Sequence, residues 1–254
     1  MLAVDLNCDM GESYGLYQMG NDEEMMKYIT SANIACGYHG GDPHIMRKTV
    51  ELAKKYEVAI GAHPGFPDLV GFGRRPLKAT PEEIRDYVIY QTGALREFAA
   101  YHSVQLQHCK PHGALYMMAM EDEAIAKAIL EGLYKINPEL IVFALNNSAV
   151  LEVGRKMGMR VALETYADRE HTASGSIVMT RAGSEIKDYD GMADRVVRMV
   201  KEGKVLTHLN EDASLTAETI CIHGDTPGAS VLAQKIREAL TKNEIEVKPI
   251  SEIL

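Results

Sequence analysis

The sequence predicts an α/β protein: an irregular seven-stranded (β/α) barrel formed by residues 1–254 as one catalytic domain. Three observations predict it. Short apolar runs rich in β-branched residues alternate with segments of helical period, and no Ser/Pro-rich linker interrupts the alternation. Polar, glycine-containing clusters follow most of the runs. The runs number seven: Leu2–Leu6, Ala32–Cys36, Val58–Ala62, Val104–Cys109, Leu140–Leu145, Arg160–Glu164 and Thr219–Ile222. Their length and apolar character suit parallel strands covered on both faces. Seven runs favour an irregular barrel over the regular eightfold one, with a doubly wound open sheet as the alternative.

The helices between the runs carry readable starts and stops. Asp42-Pro43 reads as an N-cap with proline in the first turn, and Thr80-Pro81-Glu82-Glu83 as a capping box. Ile84, Val88, Gln91, Leu95 and Phe98 then give that helix its inward stripe. Ser148 caps Ala149–Met157, which Gly158 stops, and Gly203 ends a helix carrying Met192, Val196, Val197 and Val200. Thr226-Pro227 repeats the cap-plus-proline start before a last helix over 228–241. Gly175–Asp212 is the least regular stretch, with Ser176–Met179 expected as an extra strand outside the barrel.

Bulk properties limit the function classes. The chain has 254 residues, 46% hydrophobic and 25% charged, with a net charge of -9. An acidic balance argues against nucleic acid or an anionic membrane as the main partner. No apolar stretch approaches the roughly 20 residues of a membrane span. The chain opens on the strand-like Leu2–Leu6 rather than on a signal peptide. Cys8, Cys36, Cys109 and Cys221 form no C-x-x-C pair and end apolar runs, so buried reduced thiols in a cytoplasmic protein are expected.

The chemistry is concentrated where the strands end. Asp5, Asn7, Asp9 and Glu12 crowd the first segment, and burying carboxylates without a role is costly. His39, His63, His112 and His223 each precede a glycine by one or two residues. In a parallel barrel these segments meet on one face, where barrel enzymes keep their chemistry. The helices that follow aim N-terminal N–H groups at the same space, which suits an anion. Lys110 is the lysine at a strand end, a ligand for carboxylate or phosphate or else a structural counter-ion. The glycine-rich loop Phe66–Ala79 reads as a lid bringing Arg74 and Arg75, or as a solvated loop. Asp42 reads as a helix cap, and Asp225 as either cap or site residue, since Thr226 can cap the last helix. His44, His102 and His208 read as exposed, and His171 is open. No phosphate-binding glycine fingerprint, serine-nucleophile elbow or H-E-x-x-H is present. The residues themselves therefore point to an acid–base or metal-assisted hydrolase of a small anionic C–N substrate.

The same segments carry a resemblance. Asp5–Gly15, Ala32–Pro43, Gly61–Arg75, Lys110–Tyr116, Glu164–Arg169 and Ile220–Ala229 together resemble the LamB/YcsF family, associated with the A subunits of bacterial 5-oxoprolinases. Tyr14, Tyr38 and Tyr166 stand where phenylalanine is expected, and Gly40 where alanine is usual. The resemblance implies a seven-stranded barrel like that of glycoside hydrolases and polysaccharide deacetylases. It implies ATP-dependent opening of the 5-oxoproline lactam to L-glutamate, with ADP and phosphate released. ATP is the implied cofactor, with Mg2+ a candidate, and two further subunits, B and C, are the implied partners. Under that chemistry Asp9, Glu12 and His63 are candidates for general base or water positioning. His39, His112 and His223 are candidate acids or oxyanion donors. Lys110 and Arg74 would face carboxylate or phosphate, with Asn7, Glu164, Asp168 and Asp225 completing the binding site. Two rivals stand beside this reading: a stand-alone metal-dependent deacetylase using Asp9, His39 and His63 as ligands, and a non-catalytic subunit.

Overall fold

A computed structural model of the chain describes residues 2–178, 186 and 188–254. In chain order its elements begin β1 (Leu2–Met10), α1 (Asp22–Met25), β2 (Ser31–Ala35), α2 (Pro43–Lys55), β3 (Ala59–His63), α3 (Pro81–Tyr101) and β4 (Leu106–Cys109). They continue with α4 (Gly113–Glu121), α5 (Glu123–Ile136), β5 (Ile141–Leu145), α6 (Ala149–Lys156), β6 (Val161–Tyr166) and α7 (Tyr189–Glu202). Last come β7 (Lys204–Leu206), β8 (Asp212–Ser214), β9 (Thr219–His223), α8 (Ala229–Lys242) and β10 (Ile245–Val247).

Strands β1 to β6 and β9 form a parallel sheet that closes on itself, because β9 pairs with both β6 and β1. The closing register runs from Asp5 opposite Thr219 to Asp9 opposite His223. The seven-stranded barrel is therefore the fold, and closure removes the open-sheet alternative. Two elements add to it. β10 extends the start of β1 in parallel, Leu2 opposite Ile245, and β7 with β8 forms a separate antiparallel hairpin. No helix among the described residues is long and apolar enough to cross a membrane.

Most helix signals hold. Asp42 caps α2, Thr80 and Glu83 form the capping box of α3, Ser148 caps α6, and Gly203 ends α7 in the left-handed region. Ile84, Val88, Gln91 and Leu95 are buried as the stripe predicts, with Phe98 half-buried. Thr226 does not cap the last helix. α8 starts after Gly228 without a side-chain cap, and Thr226 Oγ1 turns toward Asp168 instead. The expected strand at Ser176–Met179 is reduced to a single bridge, Ile177 to His171; Met179 lies outside the described residues. His44 and His208 are exposed as read, but His102 is half-buried, and His171 is fully buried against Arg195. All four cysteines are free and buried.

The larger departure is β1. It runs four residues beyond Leu6, so Asp5, Asn7 and Asp9 lie within the strand rather than after it. Side chains alternate across a strand. Leu6, Cys8 and Met10 consequently pack outward in the main apolar core, while the three polar residues point into the barrel. The barrel interior is thus polar along much of its height. Asp5 accepts from Thr30, Ser31 and Thr219; Asn33 donates to Asn7 and Asp9; His108 Nε2 lies 2.8 Å from Asn33 Oδ1. Gly61 makes room for that ring, since a Cβ there would sit 2.1 Å from it. The opposite end is sealed by apolar packing of Ile141, Phe143 and Ala162 against Ile250.

Candidate active site

At the C-terminal end of the strands, two buried clusters share Asp9. The first is centred on Lys110, which follows β4. Its ammonium lies 3.0 Å from Asp9 Oδ1 and 3.0 Å from Glu164 Oε1. Burial works against the lysine charge, but Asp9, with Glu164 adding to it, outweighs burial and holds the pKa well above the usual value. Asp9 gains in return: burial would raise its pKa, but His63 and Lys110 keep it well below the carboxylate range. Glu164 also accepts from Asn7 Nδ2 and from the hydroxyls of Tyr116 and Tyr166. Cys221 lies 3.0 Å from Lys110, but burial pushes its thiol well up, so it is no nucleophile at neutral pH.

The second cluster gathers Glu12, His39, His63 and His112, whose donor atoms all lie within 4.8 Å of one another. Gly11, in the left-handed region, turns the chain at the end of β1 and brings Glu12 over the barrel. Glu12 Oε1 is 3.1 Å from His39 Nε2, 3.4 Å from His112 Nδ1 and 3.9 Å from His63 Nε2. The rings of His39 and His112 stack in parallel, with centroids 3.6 Å apart. Burial first, then neighbouring rings, hold both imidazoles well below their usual pKa and keep them neutral. Burial, reinforced by Asp9, pushes Glu12 upward.

Backbone carbonyls settle two tautomers. His63 Nδ1 is 2.7 Å from Lys110 O, and His112 Nε2 is 2.8 Å from Phe72 O. A carbonyl only accepts, so each of these nitrogens carries a hydrogen. The remaining nitrogens, His63 Nε2 and His112 Nδ1, face each other at 2.9 Å. Neutral rings would bring two lone pairs together there.

A cavity opens beside both clusters. Asp9, His63, Lys110, His112 and His223 line it, together with Arg74 and Arg169. Tyr116, Met117, Tyr166 and Ile177 complete its wall. Arg74 is held by Asp225 at 3.1 Å. Asp168 binds both Arg169, at 2.7 Å, and His223 Nδ1, at 3.0 Å. Burial opposes the Asp168 charge, yet His223 and Arg169 hold its pKa below normal. The cavity thus pairs guanidinium and ammonium groups, which suit a carboxylate or phosphoryl group, with a carboxylate–imidazole edge able to move protons.

Of the sequence candidates, Asp9, His63, Lys110, His112, His223 and Arg74 face the cavity. Glu12 and His39 stand behind His63 and His112. Asn7 and Glu164 are fully buried beneath, and Asp168 and Asp225 hold the cations from outside. The histidines therefore divide three and one, since His223 joins Asp9 and Cys221. The loop Phe66–Ala79 is packed against the site in part and exposed at Leu69 and Val70, and it brings Arg74 but not Arg75 to the cavity. Phe66 is fully buried, Gly73 presses against His39 and His112, and Arg75 pairs with Asp68 rather than facing the site. The helix starts offer less to an anion than expected: Asp42 occupies the His44 and Ile45 N–H groups of α2, and Gly73 O that of Ala114 in α4. Sequence reasoning missed Arg169, Tyr116 and Tyr166 as lining groups, and Asn33 and His108 beneath them. The alternation of Asp5, Asn7 and Asp9 with Leu6, Cys8 and Met10 was the available signal for a polar interior.

Comparison with known proteins agrees along the whole chain. The profile of the LamB/YcsF family matches residues 4–254. A protein of Alkaliphilus metalliredigens, named as the A subunit of 5-oxoprolinase, is 52% identical over 255 residues, covering all of both chains. One of the same name from Pyrococcus horikoshii is 48% identical over 254 residues, again with full coverage. The crystal structure of a lactam utilization protein from Thermus thermophilus superposes with a TM-score of 0.91 at 44% identity, covering 97% of this chain and 99% of the other.

Proposed function

This chain belongs to the LamB/YcsF family, and from that premise we propose that it is the A subunit of an ATP-dependent 5-oxoprolinase. The reaction is the opening of the 5-oxoproline lactam to L-glutamate, with ADP and phosphate as the other products. It runs in a complex with subunits B and C, in the cytoplasm. The supporting observation is one cavity holding Arg74, Arg169 and Lys110 opposite Asp9, His63 and His112, in a full-length relative of proteins named for this activity.

The arrangement suits the difficulty of the reaction. A five-membered lactam resists water, and a phosphoryl group on its amide oxygen would make that oxygen a leaving group. A first water then attacks the ring carbon, the C–N bond breaks and the nitrogen takes up a proton, leaving an acyl phosphate; a second water attacks that acyl carbon and releases phosphate and the free carboxylate of glutamate. Asp9, kept ionised beside Lys110, and His63, 3.5 Å from it, position and deprotonate the water, with Glu12 behind them. His223, its Nδ1 held by Asp168, supplies the return proton and stabilises developing negative charge, while His112 lines the wall and His39 stacks behind it. Arg74 and Lys110, joined by Arg169, receive substrate carboxylate and phosphoryl oxygens. Asn7, Glu164, Asp168 and Asp225 hold those cations in place. Magnesium enters as the counter-ion of ATP.

The test measures glutamate and ADP from 5-oxoproline and ATP, first with this protein alone and then with B and C. Glutamate only in the full mixture, matched mole for mole by ADP, supports the reading. Absence of both products, with metal-dependent hydrolysis of acylated amines or sugars by this chain alone, replaces it with the deacetylase.

A further inference from the structure

We propose that Glu12, His39, His63 and His112 form a binding site for one divalent transition-metal ion of the zinc or manganese class. This goes beyond the lactam-opening reading, which asks only for the magnesium that accompanies ATP; with an ion bound, His63 Nε2 is a ligand and Asp9 is left as the base, while ion binding itself is measured apart from turnover.

The first argument is the contact of His63 with His112. The Lys110 and Phe72 carbonyls hold His63 Nδ1 and His112 Nε2 on the far sides of the rings, so the opposite nitrogens, His63 Nε2 and His112 Nδ1, face each other 2.9 Å apart in a buried place beside Glu12. Ring N–H groups held by backbone carbonyls are the usual outer partners of metal-bound histidines, because they present the opposite nitrogen to the ion. The second argument is His39. The ring is fully buried, its Nε2 points into the cluster toward Glu12, and its Nδ1 has no hydrogen-bond partner among the described residues.

Spacing gives the third argument. Tetrahedral zinc with Zn–N bonds of about 2.0–2.1 Å separates its ligand atoms by about 3.3 Å. The separations here of 2.9, 3.1, 3.4 and 3.9 Å bracket that value, and Glu12 Oε1 takes part in three of them. Three imidazole nitrogens with one carboxylate oxygen select a transition metal over magnesium, which prefers oxygen ligands and keeps its water. Asp9 touches this set only at its edge, with Oδ2 3.5 Å from His63 Nε2. Its Oδ1 is committed to Lys110 and Asn33, which separates the proposal from a site built on Asp9, His39 and His63.

The experiment uses the full-length chain stripped with a chelator and titrated with ZnCl2, MnCl2 or CoCl2. Calorimetry and elemental analysis read stoichiometry, and the visible spectrum of the Co2+ form reads geometry. One ion per chain is expected, with an intense tetrahedral Co2+ band. Glu12→Gln and His112→Gln should each weaken binding by about 100-fold or more, beyond what loss of an outer-shell partner produces. His223→Gln should leave one ion bound. Should either cluster variant fail to fold by circular dichroism, the wild-type Co2+ spectrum still decides. No retained ion, or binding lost in His223→Gln and kept in Glu12→Gln and His112→Gln, overturns the proposal. In the first case the His63–His112 contact is bridged by a proton alone.

Discussion

Glu164 and Glu12 are both buried carboxylates at the same end of the same barrel, yet their surroundings differ in kind. Glu164 receives four donors: Asn7 Nδ2 at 3.1 Å, the Tyr116 hydroxyl at 2.7 Å, the Tyr166 hydroxyl at 2.8 Å and Lys110 Nζ at 3.0 Å. Its lone pairs are occupied and its charge is matched. Glu12 faces three imidazoles, two of which have committed their hydrogens to backbone carbonyls, and burial works against its charge. The difference separates scaffold from chemistry. A satisfied buried carboxylate fixes its neighbours, here the lysine and two tyrosines of the cavity wall. An under-supplied one remains free to take a proton, a cation or a substrate donor.

The largest expected effect lies where the two clusters meet. Asp9→Ala or His63→Ala should reduce glutamate formation by the assembled complex by about 100- to 10,000-fold, the range of a lost general base. Circular dichroism should show the fold retained. Wild-type-like turnover in both variants would sink the assignment of these residues to water activation.

The comparison itself is sharpened by a matched pair of variants. Glu164→Gln leaves Lys110 paired with Asp9 at 3.0 Å but turns an amide NH2 toward the donors of Asn7, Tyr116 and Tyr166. An unsatisfied buried donor costs about 1–3 kcal/mol, so chemical denaturation should show a clear loss of stability. Glu12→Gln removes a charge that burial disfavours, so stability should change by less than about 1 kcal/mol while turnover falls. If Glu12→Gln proves the more destabilising of the two, the division between scaffold and chemistry is inverted.

Much of this was legible from residue types alone. Parallel strands covered on both faces must be apolar on their outward side, so the runs showed, and Asp42, Thr80 and Ser148 marked helix starts because their side chains satisfy free N–H groups. His39, His63, His112 and His223 stood out because four histidines at the ends of parallel strands converge on one face, which a single one would not show. What stayed hidden depends on register and on contacts distant in sequence. The apolar-run criterion stopped β1 at Leu6, although the alternation through Met10 fits a strand whose inward face is polar. Arg169 was obscured by its acidic neighbour Asp168, which pairs with it but leaves it lining the cavity. Nothing in the spacing of Tyr116 and Tyr166 tells that both hydroxyls donate to Glu164 at the cavity wall. Thr226 matched a cap pattern, but α8 begins later, after the left-handed Gly228.

The smallest effect concerns the lower barrel, where Asp5 and His108 are fully buried. Burial raises Asp5 to a pKa of about 6 from 3.8, against the hydrogen bonds of Thr219, Ser31 and Thr30. A folded-state value above the unfolded one means that its contribution is fully present below pH 4 and lost as pH rises through 6. By linkage the loss amounts to about 3 kcal/mol at most. His108 acts with the opposite sign: burial lowers it to about 3 from 6.5, so its contribution is present above pH 6.5 and lost as pH falls toward 3. The wild-type profile therefore mixes the two slopes. Subtracting the profile of Asp5→Asn, in which the aspartate no longer titrates and His108 remains, isolates the first. Between pH 4 and pH 7 the wild type should lose stability relative to Asp5→Asn. Parallel profiles across that range would mean that the three hydroxyl donors offset the cost of burying the Asp5 charge in full.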